Sequence, residues 1–250
     1  MRGLLLLAIC FVATLSQAQP ADRDIVDQPI EWFALTSMIK VSRNVSVMAE
    51  GQFRYARQFE PMQFQARVAA EITLNDHWAI VPFGYVYTWN DRYGKQPAMF
   101  VNHEHRFWEQ VTYKHDLSRF KLSHRLRLEQ RLIEARSVRD GEVIYEGYDQ
   151  YLNRLRYRFM ANIPLNHPDM DAKTVYVSLY DEVFYSWGKG VTFHEPDQNR
   201  IFAGLGYQFT KLVGVQGGFL YQMQIKQNGA QQENNVGFQL QVNYNLDFTD

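Results

Sequence analysis

The residues of this sequence best suited to chemistry are two runs of alternating arginines, at 124–131 and 154–158. Two residues is the repeat of a β-strand, so each run places its guanidinium groups on one strand face. Like charges at this density repel one another unless carboxylates or bound anions lie between them. The candidate anion-binding residues are Arg106, Arg125, Arg127, Arg131, Arg154, Arg156, Arg158 and Arg200. The candidate carboxylate partners are Glu104, Glu129 and Glu182.

The segments around these runs alternate between apolar and polar residues, which is the pattern of half-buried β-strands rather than of helices. Most of the segments are longer than the 5–6 residues usual in globular sheets, and strands of ~9–11 residues are what a membrane crossing requires. The predicted strands are 31–41, 45–55, 62–74, 78–90, 99–114, 119–134, 148–163, 174–187, 198–209, 212–226 and 234–248.

The connections between these strands alternate in length, which is typical of transmembrane barrels. Short turns are expected at 42–44, 75–77, 116–118 and 210–211, and longer loops at 56–61, 91–98, 135–147, 188–197 and 227–233. Eleven strands are visible, but bacterial barrels usually close with an even number. We therefore expect twelve strands, with the additional one in residues 20–30, and ten as the alternative. The predicted fold class is all-β, a single transmembrane antiparallel barrel.

One face of the predicted strands carries ten arginines and five acids, and it must point inwards. An arginine that faces lipid at the bilayer midplane costs ~2–4 kcal/mol. Ten of them would cost ~20–40 kcal/mol against a typical net stability of ~5–15 kcal/mol. The opposite, apolar face is then expected to contact outer-membrane lipid. The residues on the inward face are Glu50, Arg54, Arg67, Glu71, Glu104, Arg106, Arg125, Arg127, Glu129, Arg131, Arg154, Arg156, Arg158, Glu182 and Arg200.

Aromatic residues near the predicted strand ends fit girdles at two membrane interfaces, although strand propensity alone also favours aromatics. These residues are Trp32, Tyr55, Trp78, Trp89, Tyr113, Phe120, Tyr148, Trp187, Tyr207 and Phe248. The alternation of Val242, Tyr244, Leu246 and Phe248 resembles the terminal pattern that the outer-membrane assembly machinery recognises, but Thr249 and Asp250 follow it.

The first eighteen residues are predicted to be a secretory signal peptide. Arg2 is followed by an apolar segment from Leu4 to Leu15, and 16–18 is a small-x-small cleavage site. Cleavage leaves residues 19–250 as the barrel domain, without Cys10, the single cysteine. The expected location is the outer membrane of a Gram-negative bacterium. With 26 basic and 27 acidic residues, the chain lacks the basic excess of a nucleic-acid binder.

Metal and cofactor sites are not predicted. With the turn centred near Leu117, His105 pairs near position 129 and His124 near position 110, so these two histidines and His103 do not converge. Ser123 and His124 are sequence neighbours and point to opposite faces, which disfavours a barrel hydrolase. No nucleophile elbow, Walker A or dinucleotide fingerprint occurs, so no cofactor and no enzymatic activity are expected.

At several of these residues, taken in order, the chain resembles domain-of-unknown-function family 2490. This family is predicted to form outer-membrane β-barrels. The resemblance runs from Trp32 to Phe248. It rests on Trp32, Glu50 with Arg54, Gly84-Tyr85-Val86-Tyr87, Glu104-x-Arg106-x-Trp108-x-Gln110, the Arg125–Arg131 ladder, Arg154-x-Arg156-Tyr157-Arg158, Glu182, and Asn199-Arg200 with Gly204. The family implies fold and location and brings no established activity.

Two functions remain open at this point. The arginine excess favours a narrow channel or binding barrel for small anionic solutes. The alternative is a plugged barrel with an ion-paired interior, which acts as an envelope scaffold through its long loops. A barrel-wall lipid-modifying enzyme and a soluble periplasmic ligand-binding barrel are further alternatives.

Overall fold

A computed structural model describes residues 23–249 of the chain. These residues form fourteen β-strands and one 3-10 turn, Arg57–Phe59, and no helix among them is long and apolar enough to cross a membrane. The predicted signal peptide, residues 1–18, lies outside the described residues. The strands are β1 Asp24–Lys40, β2 Val45–Ala56, β3 Glu60–Thr73, β4 Trp78–Asn90, β5 Asn102–Leu117, β6 Phe120–Ile133, β7 Arg136–Arg139, β8 Glu142–Tyr145, β9 Gln150–Pro164, β10 Thr174–Gly188, β11 Gln198–Gln208, β12 Val213–Ile225, β13 Gln231–Tyr244 and β14 Leu246–Asp247.

Eleven of the strands form a closed barrel. From β1 to β6, and then from β9 to β13, each strand pairs antiparallel with the next one in the barrel. β1 then pairs with β13 in parallel, from Asp24 opposite Gln231 to Thr36 opposite Asn243. The two-residue β14 pairs with the end of β1, and β7 with β8 forms a separate hairpin in the loop between β6 and β9. Closure leaves no free edge in the barrel.

The prediction of twelve strands is wrong, and the reason is the closing pair. A barrel closed by an antiparallel pair needs an even number of strands, whereas a parallel closing pair requires an odd number. Residues 24–30, expected to hold a separate strand, are the beginning of β1. Gly237 allows the parallel strands to approach, because a Cβ at this position would collide with the backbone of Ile30.

The connections divide into two ends of the barrel. The short-turn end holds residues 41–44, 74–77, 118–119, 165–173 and 209–212, and the long-loop end holds 91–101, 134–149, 189–197 and 226–230. The expected long loop at 56–61 is instead the tight 3-10 turn. Because the number of strands is odd, β1 begins at the long-loop end and β13 ends at the short-turn end.

The burial of the side chains follows the two-residue repeat of the strands. In β10, for example, Tyr176, Ser178, Tyr180 and Glu182 are buried, and the residues between them are more exposed. The interior contains two apolar clusters, which do not fill it. One contains Ile30, Trp32, Met62, Tyr180, Phe202 and Leu220, and the other contains Ala69, Val81, Val86 and Trp108.

Candidate functional site: an arginine-lined cavity

The interior of the barrel encloses a cavity of about 750 Å³. All eleven barrel strands contribute side chains to its lining, and so do loop residues at the long-loop end, among them Tyr93 and Phe193. Near the short-turn end the lining includes Asn162, Gln208 and Asn243. The cavity is therefore a property of the whole barrel rather than of one loop or one pair of strands.

All eight candidate anion-binding arginines point into the barrel, together with Arg54 and Arg67. The two arginine ladders lie on β6 and β9, which are neighbours in the sheet although the β7–β8 hairpin separates them in sequence. Arg125 lies opposite Arg158, and Arg127 lies opposite Arg156. Two pairs of like charges therefore lie next to each other, and each needs compensation from elsewhere in the interior.

The carboxylate of Glu104 compensates two of these arginines. Arg131 donates to both of its oxygens, at 2.7 and 2.8 Å, and Arg106 donates to one of them at 2.8 Å. Arg106 also reaches Glu129 at 3.2 Å. Glu104 and Glu129 are almost completely buried, so each needs these positive partners to remain charged at low cost.

Glu182 is the centre of the largest network. It accepts hydrogen bonds from Arg125 at 2.6 Å, from Arg156 at 2.8 and 3.0 Å, and from Arg200 at 3.2 Å. Arg156 also donates to Glu129, and so connects the two carboxylates. This network fixes the relative positions of β6, β9, β10 and β11, because its members come from all four strands.

Other inward arginines use partners that the sequence did not identify. Arg154 donates to Ser186 at 2.8 Å and to Asp197 at 3.0 Å. Asp197 lies in the loop before β11, and its role depends on a long-range contact with no local pattern. Arg127 donates to Gln110 at 2.7 and 2.9 Å and lies over the ring of Trp108, 3.8 Å from its centroid.

Two arginines of the cavity have no carboxylate partner within residues 23–249. Arg54 donates only to the amide oxygens of Gln52, Gln63 and Gln65, and it lies over the Trp32 ring at 3.6 Å. Arg158 makes no hydrogen bond to any described residue, and its Nε is buried without a partner. Eight of the ten inward guanidinium groups share five carboxylates, which are Glu50, Glu104, Glu129, Glu182 and Asp197, and the other two have none in this range. The cavity therefore has an excess of positive charge.

Trp32 contradicts the prediction that it belongs to an interfacial girdle. Its side chain is only 3% exposed and lies inside the barrel, between Arg54 and Arg200. β1 begins seven residues earlier than predicted, so Trp32 lies in the middle of the strand rather than at its end. Trp78, Trp89 and other aromatics of the predicted girdle are exposed on the outside.

The loop 91–101 folds over the long-loop end of the cavity. Tyr93 donates to Glu233 of β13 at 3.0 Å, and Gln96 donates to Asp24 of β1 at 2.9 Å. Burial raises the pKa of the Tyr93 hydroxyl well above its usual range, and the Glu233 carboxylate raises it further. Tyr93 therefore remains a donor, and the loop is held across the mouth near the closing strands.

Two of the strand glycines accommodate aromatic rings. A Cβ at Gly206 would collide with the ring of Tyr176, and one at Gly84 with the ring of Trp108. The glycines thus allow large rings to lie flat against the inner wall.

His103, His105 and His124 lie on the outer face, and His124 is separated along the barrel from the other two, where it stacks on His115 with the ring centroids 5.4 Å apart. His105 pairs with Leu132 and His124 with Tyr113, three residues away from the predicted partners, because β5 continues to Leu117 and the turn follows at Ser118. His103 and His105 contact tyrosine hydroxyls of β4. No group of three or more histidine, cysteine, aspartate or glutamate residues that could hold a metal occurs in the part of the chain that the structure describes.

The sequence analysis missed the carboxamides of the cavity. Most of them occupy alternate positions in strands that were recognised, so the signal was present but was interpreted as ordinary polar alternation; Gln227 and Asn228 lie in a loop. Seventeen of them line the cavity: Gln52, Gln63, Gln65, Asn90, Asn102, Gln150, Asn162, Gln198, Gln208, Gln216, Gln222, Gln224, Gln227, Asn228, Gln239, Gln241 and Asn243.

Comparison with known proteins gives one match. The family model described as protein of unknown function (DUF2490) matches residues 31–234, from within β1 into β13. No curated protein and no solved structure matches the chain.

Proposed function

The chain belongs to the DUF2490 family of proteins of unknown function, and we propose that it is an outer-membrane channel or binding barrel for small anionic solutes. The observation that carries this proposal is the charge of the cavity. Eight of the ten guanidinium groups there share five carboxylates, and the other two, Arg54 and Arg158, have no carboxylate partner in residues 23–249. An excess of fixed positive charge in a low-dielectric enclosure attracts anions.

The outer face of the barrel supports a membrane location. Large apolar side chains are exposed all around the barrel, far beyond the few hundred Å² of contiguous apolar surface that soluble monomers usually show. They include Leu35, Phe53, Val68, Phe83, Val111, Leu126, Leu155, Leu179, Leu205, Phe219, Val236 and Phe238. The backbone hydrogen bonds are satisfied within the closed sheet, which is the condition for β-structure in lipid.

Acidic residues interrupt this apolar surface. Glu31, which lies opposite Tyr55 and Phe238, has one carboxylate oxygen without a partner among the described residues, whereas Glu109 and Asp181 each have a local partner. Glu109 accepts a hydrogen bond from Gln130 at 3.0 Å, and Asp181 accepts one from Asn199 at 2.6 Å. Outward-facing acids cost less than arginine or lysine on the lipid face of a barrel. These two side chains are therefore compatible with a lipid environment.

Conductance measurements test the anion proposal. The refolded protein is inserted into a planar bilayer, and the reversal potential is read under a salt gradient. We expect discrete conductance steps with anion preference. The double variant Arg54→Gln/Arg158→Gln should move the reversal potential towards zero, because it removes the two arginines that lack a carboxylate partner. Arg119→Gln, an exposed change at the short-turn end, is the matched control and should leave it unchanged.

A second candidate function follows from the ion pairs and from the β7–β8 hairpin. Eight of the ten inward arginines have a carboxylate within 4.0 Å, which is the arrangement of a filled, structural interior. The hairpin exposes Val138, Val143 and Tyr145, apolar side chains suited to a protein contact. A correctly folded barrel with no conductance and no anion binding would overturn the first proposal and favour this scaffold role. Deletion of residues 136–145 should then abolish the binding of a partner protein to the hairpin.

A further inference from the structure

The chemistry of the cavity wall is more specific than its charge, and this inference rests on the proposed function. Guanidinium groups concentrate on β6 and β9, with single ones on β5 and β11, whereas carboxamides dominate the wall formed by β12 and β13. An inorganic anion only accepts hydrogen bonds, so arginines alone are enough to hold it. A carboxamide both donates and accepts, which matches a hydroxyl group, since a hydroxyl also does both.

Many of the carboxamide contacts are long and easily exchanged. Gln216 donates to Gln241 at 3.3 Å, and Gln239 donates to the same oxygen of Gln241 at 3.5 Å. Hydrogen bonds between an N–H and an oxygen are usually 2.7–3.2 Å long. Ligand hydroxyls can replace such long contacts at little cost, because the bonds that are lost are weak.

Unpartnered polar atoms identify one place in the cavity more closely. The Nε atoms of Arg125 and Arg158 are buried without a partner, and so is Oδ1 of Asn162. Arg125 and Arg158 are directly opposite each other on β6 and β9, and Asn162 follows Arg158 on the same face of β9, nearer the short-turn end. All three side chains line the cavity.

These three atoms need different partners. The two guanidinium groups lack acceptors, whereas the Asn162 oxygen lacks a donor. A simple anion satisfies the arginines and leaves the amide oxygen unsatisfied, which costs free energy for a buried group. A molecule that carries both a carboxylate and hydroxyl groups satisfies all three.

We propose that the cavity binds acidic saccharides, that is, sugars whose rings carry carboxylate groups. The carboxylates bind at Arg125 and Arg158. The hydroxyl groups bind to Asn162 and, across the cavity, to the carboxamides of Gln216 and Gln241.

Calorimetric titration of the folded, detergent-solubilised barrel tests this assignment with three probes at constant ionic strength. Trigalacturonate carries carboxylates and hydroxyls, tricarballylate carries three carboxylates without hydroxyls, and galactotriose is neutral. We expect trigalacturonate to bind at least about tenfold more tightly than either of the other two, as one additional well-placed hydrogen-bonding group can supply.

Single substitutions distinguish the part of the site that binds carboxylates from the part that binds hydroxyl groups. Asn162→Leu should weaken trigalacturonate about tenfold and tricarballylate by less than about twofold, because only the hydroxyl contact is lost. Arg158→Gln should weaken both acids. Asn153→Leu, on the outer face, is the control and should change neither. If Asn162→Leu fails to fold, as judged by heat-dependent gel mobility, Gln241→Leu takes its place with the same expectation.

The binding results distinguish a failure of the saccharide assignment from a failure of the proposed function. If tricarballylate binds as tightly as trigalacturonate, or if the amide variants weaken both acids equally, the saccharide assignment is wrong and the anion proposal stands. If neither acid binds and the bilayer shows no conductance, the proposed function itself is wrong.

Discussion

Arg127 and Arg156 are directly opposite each other on β6 and β9, but their contacts differ in kind. Arg156 donates to the carboxylates of Glu129 and Glu182, whereas Arg127 donates to the amide of Gln110 and stacks on Trp108. Two arginines that look equivalent in the sequence therefore have different roles. One is part of the ion-paired framework, and the other lies against an aromatic ring.

Removal of a framework arginine should cost far more stability than removal of one without a partner. Arg156→Gln leaves two buried carboxylates short of positive charge, so we expect the free energy of unfolding to fall by about 3–5 kcal/mol. Arg158→Gln breaks no ion pair among the described residues, and we expect a change of about 1 kcal/mol or less. Urea unfolding in micelles, followed by tryptophan fluorescence, measures both. Equal losses would contradict the distinction between the two arginines.

Gly84 on β4 and Gly51 on β2 should respond to alanine in opposite directions. At Gly84 a Cβ would collide with the Trp108 ring, so Gly84→Ala should destabilise the barrel by about 1–3 kcal/mol. At Gly51 no atom lies within 4 Å of the new Cβ. Gly51→Ala should therefore be neutral or stabilise the strand by up to about 1 kcal/mol. The same unfolding experiment checks both variants, and a stability loss at Gly51 like that at Gly84 would show that the ring contact is not the cause.

The strands were predictable because one face of each strand points into the barrel and the other points outwards. The sequence of each strand therefore alternates between two kinds of residue with a two-residue repeat. β2 was expected at 45–55 and is observed at Val45–Ala56, and β4 was expected and is observed at 78–90. The start of β1 was not predictable in this way. Its first residues, Asp24 to Gln28, carry little alternation, and their pairing with β13 depends on residues about 200 positions away.

The site was predictable in its arginines and not in their partners. Alternation indicates that Arg154 faces inwards, but no local pattern shows that Asp197, in a loop, will lie beside it. The face of Trp32 was also misjudged, because an aromatic residue type fits a membrane interface and a packed interior equally well. Contacts between distant loops and strands form only when the barrel closes, and no local pattern in a single sequence predicts them.

Tyr93, which holds the 91–101 loop, should make the free energy of unfolding depend on pH in the alkaline range. The pKa of Tyr93 is raised well above its usual range, by burial first and by Glu233 second, while the charge of Arg54 acts in the opposite direction and Lys226 lies near the ring. The folded state thus retains the proton that the unfolded chain releases at about pH 10. This contribution is complete below pH 10 and is lost as the pH rises through the folded pKa.

Tyr93→Phe removes that contribution and provides the comparison. The difference in unfolding free energy between the natural protein and Tyr93→Phe should be constant below about pH 9 and should shrink as the pH is raised from about 10 to 11. Denaturant unfolding at each pH measures it. The other tyrosines are common to both proteins, so their contributions cancel in the difference. A difference that stays constant or grows over this range would show that Tyr93 does not retain its proton.

An odd number of strands places the two ends of the barrel chain at opposite mouths. β1 begins at the long-loop end with Asp24, and Asp247 lies beyond β13 at the short-turn end, and both side chains are exposed. In a membrane-embedded barrel, the variants Asp24→Cys and Asp247→Cys should therefore react on different sides. The only natural cysteine is Cys10, in the predicted signal peptide, so a mature chain without it gives no background.

Labelling of intact cells with a membrane-impermeant maleimide should modify only one of the two variants, and permeabilised cells should show both modified. Twelve antiparallel strands would instead place both positions on one side, and the two variants would then label together in intact cells. The result tests the parallel β1–β13 closure and the membrane location at once, because a soluble barrel would give no sidedness. The Gly237→Val variant distinguishes the parallel closure from the membrane location. The valine side chain would collide with the Ile30 backbone, so the variant should prevent closure without altering the apolar outer face.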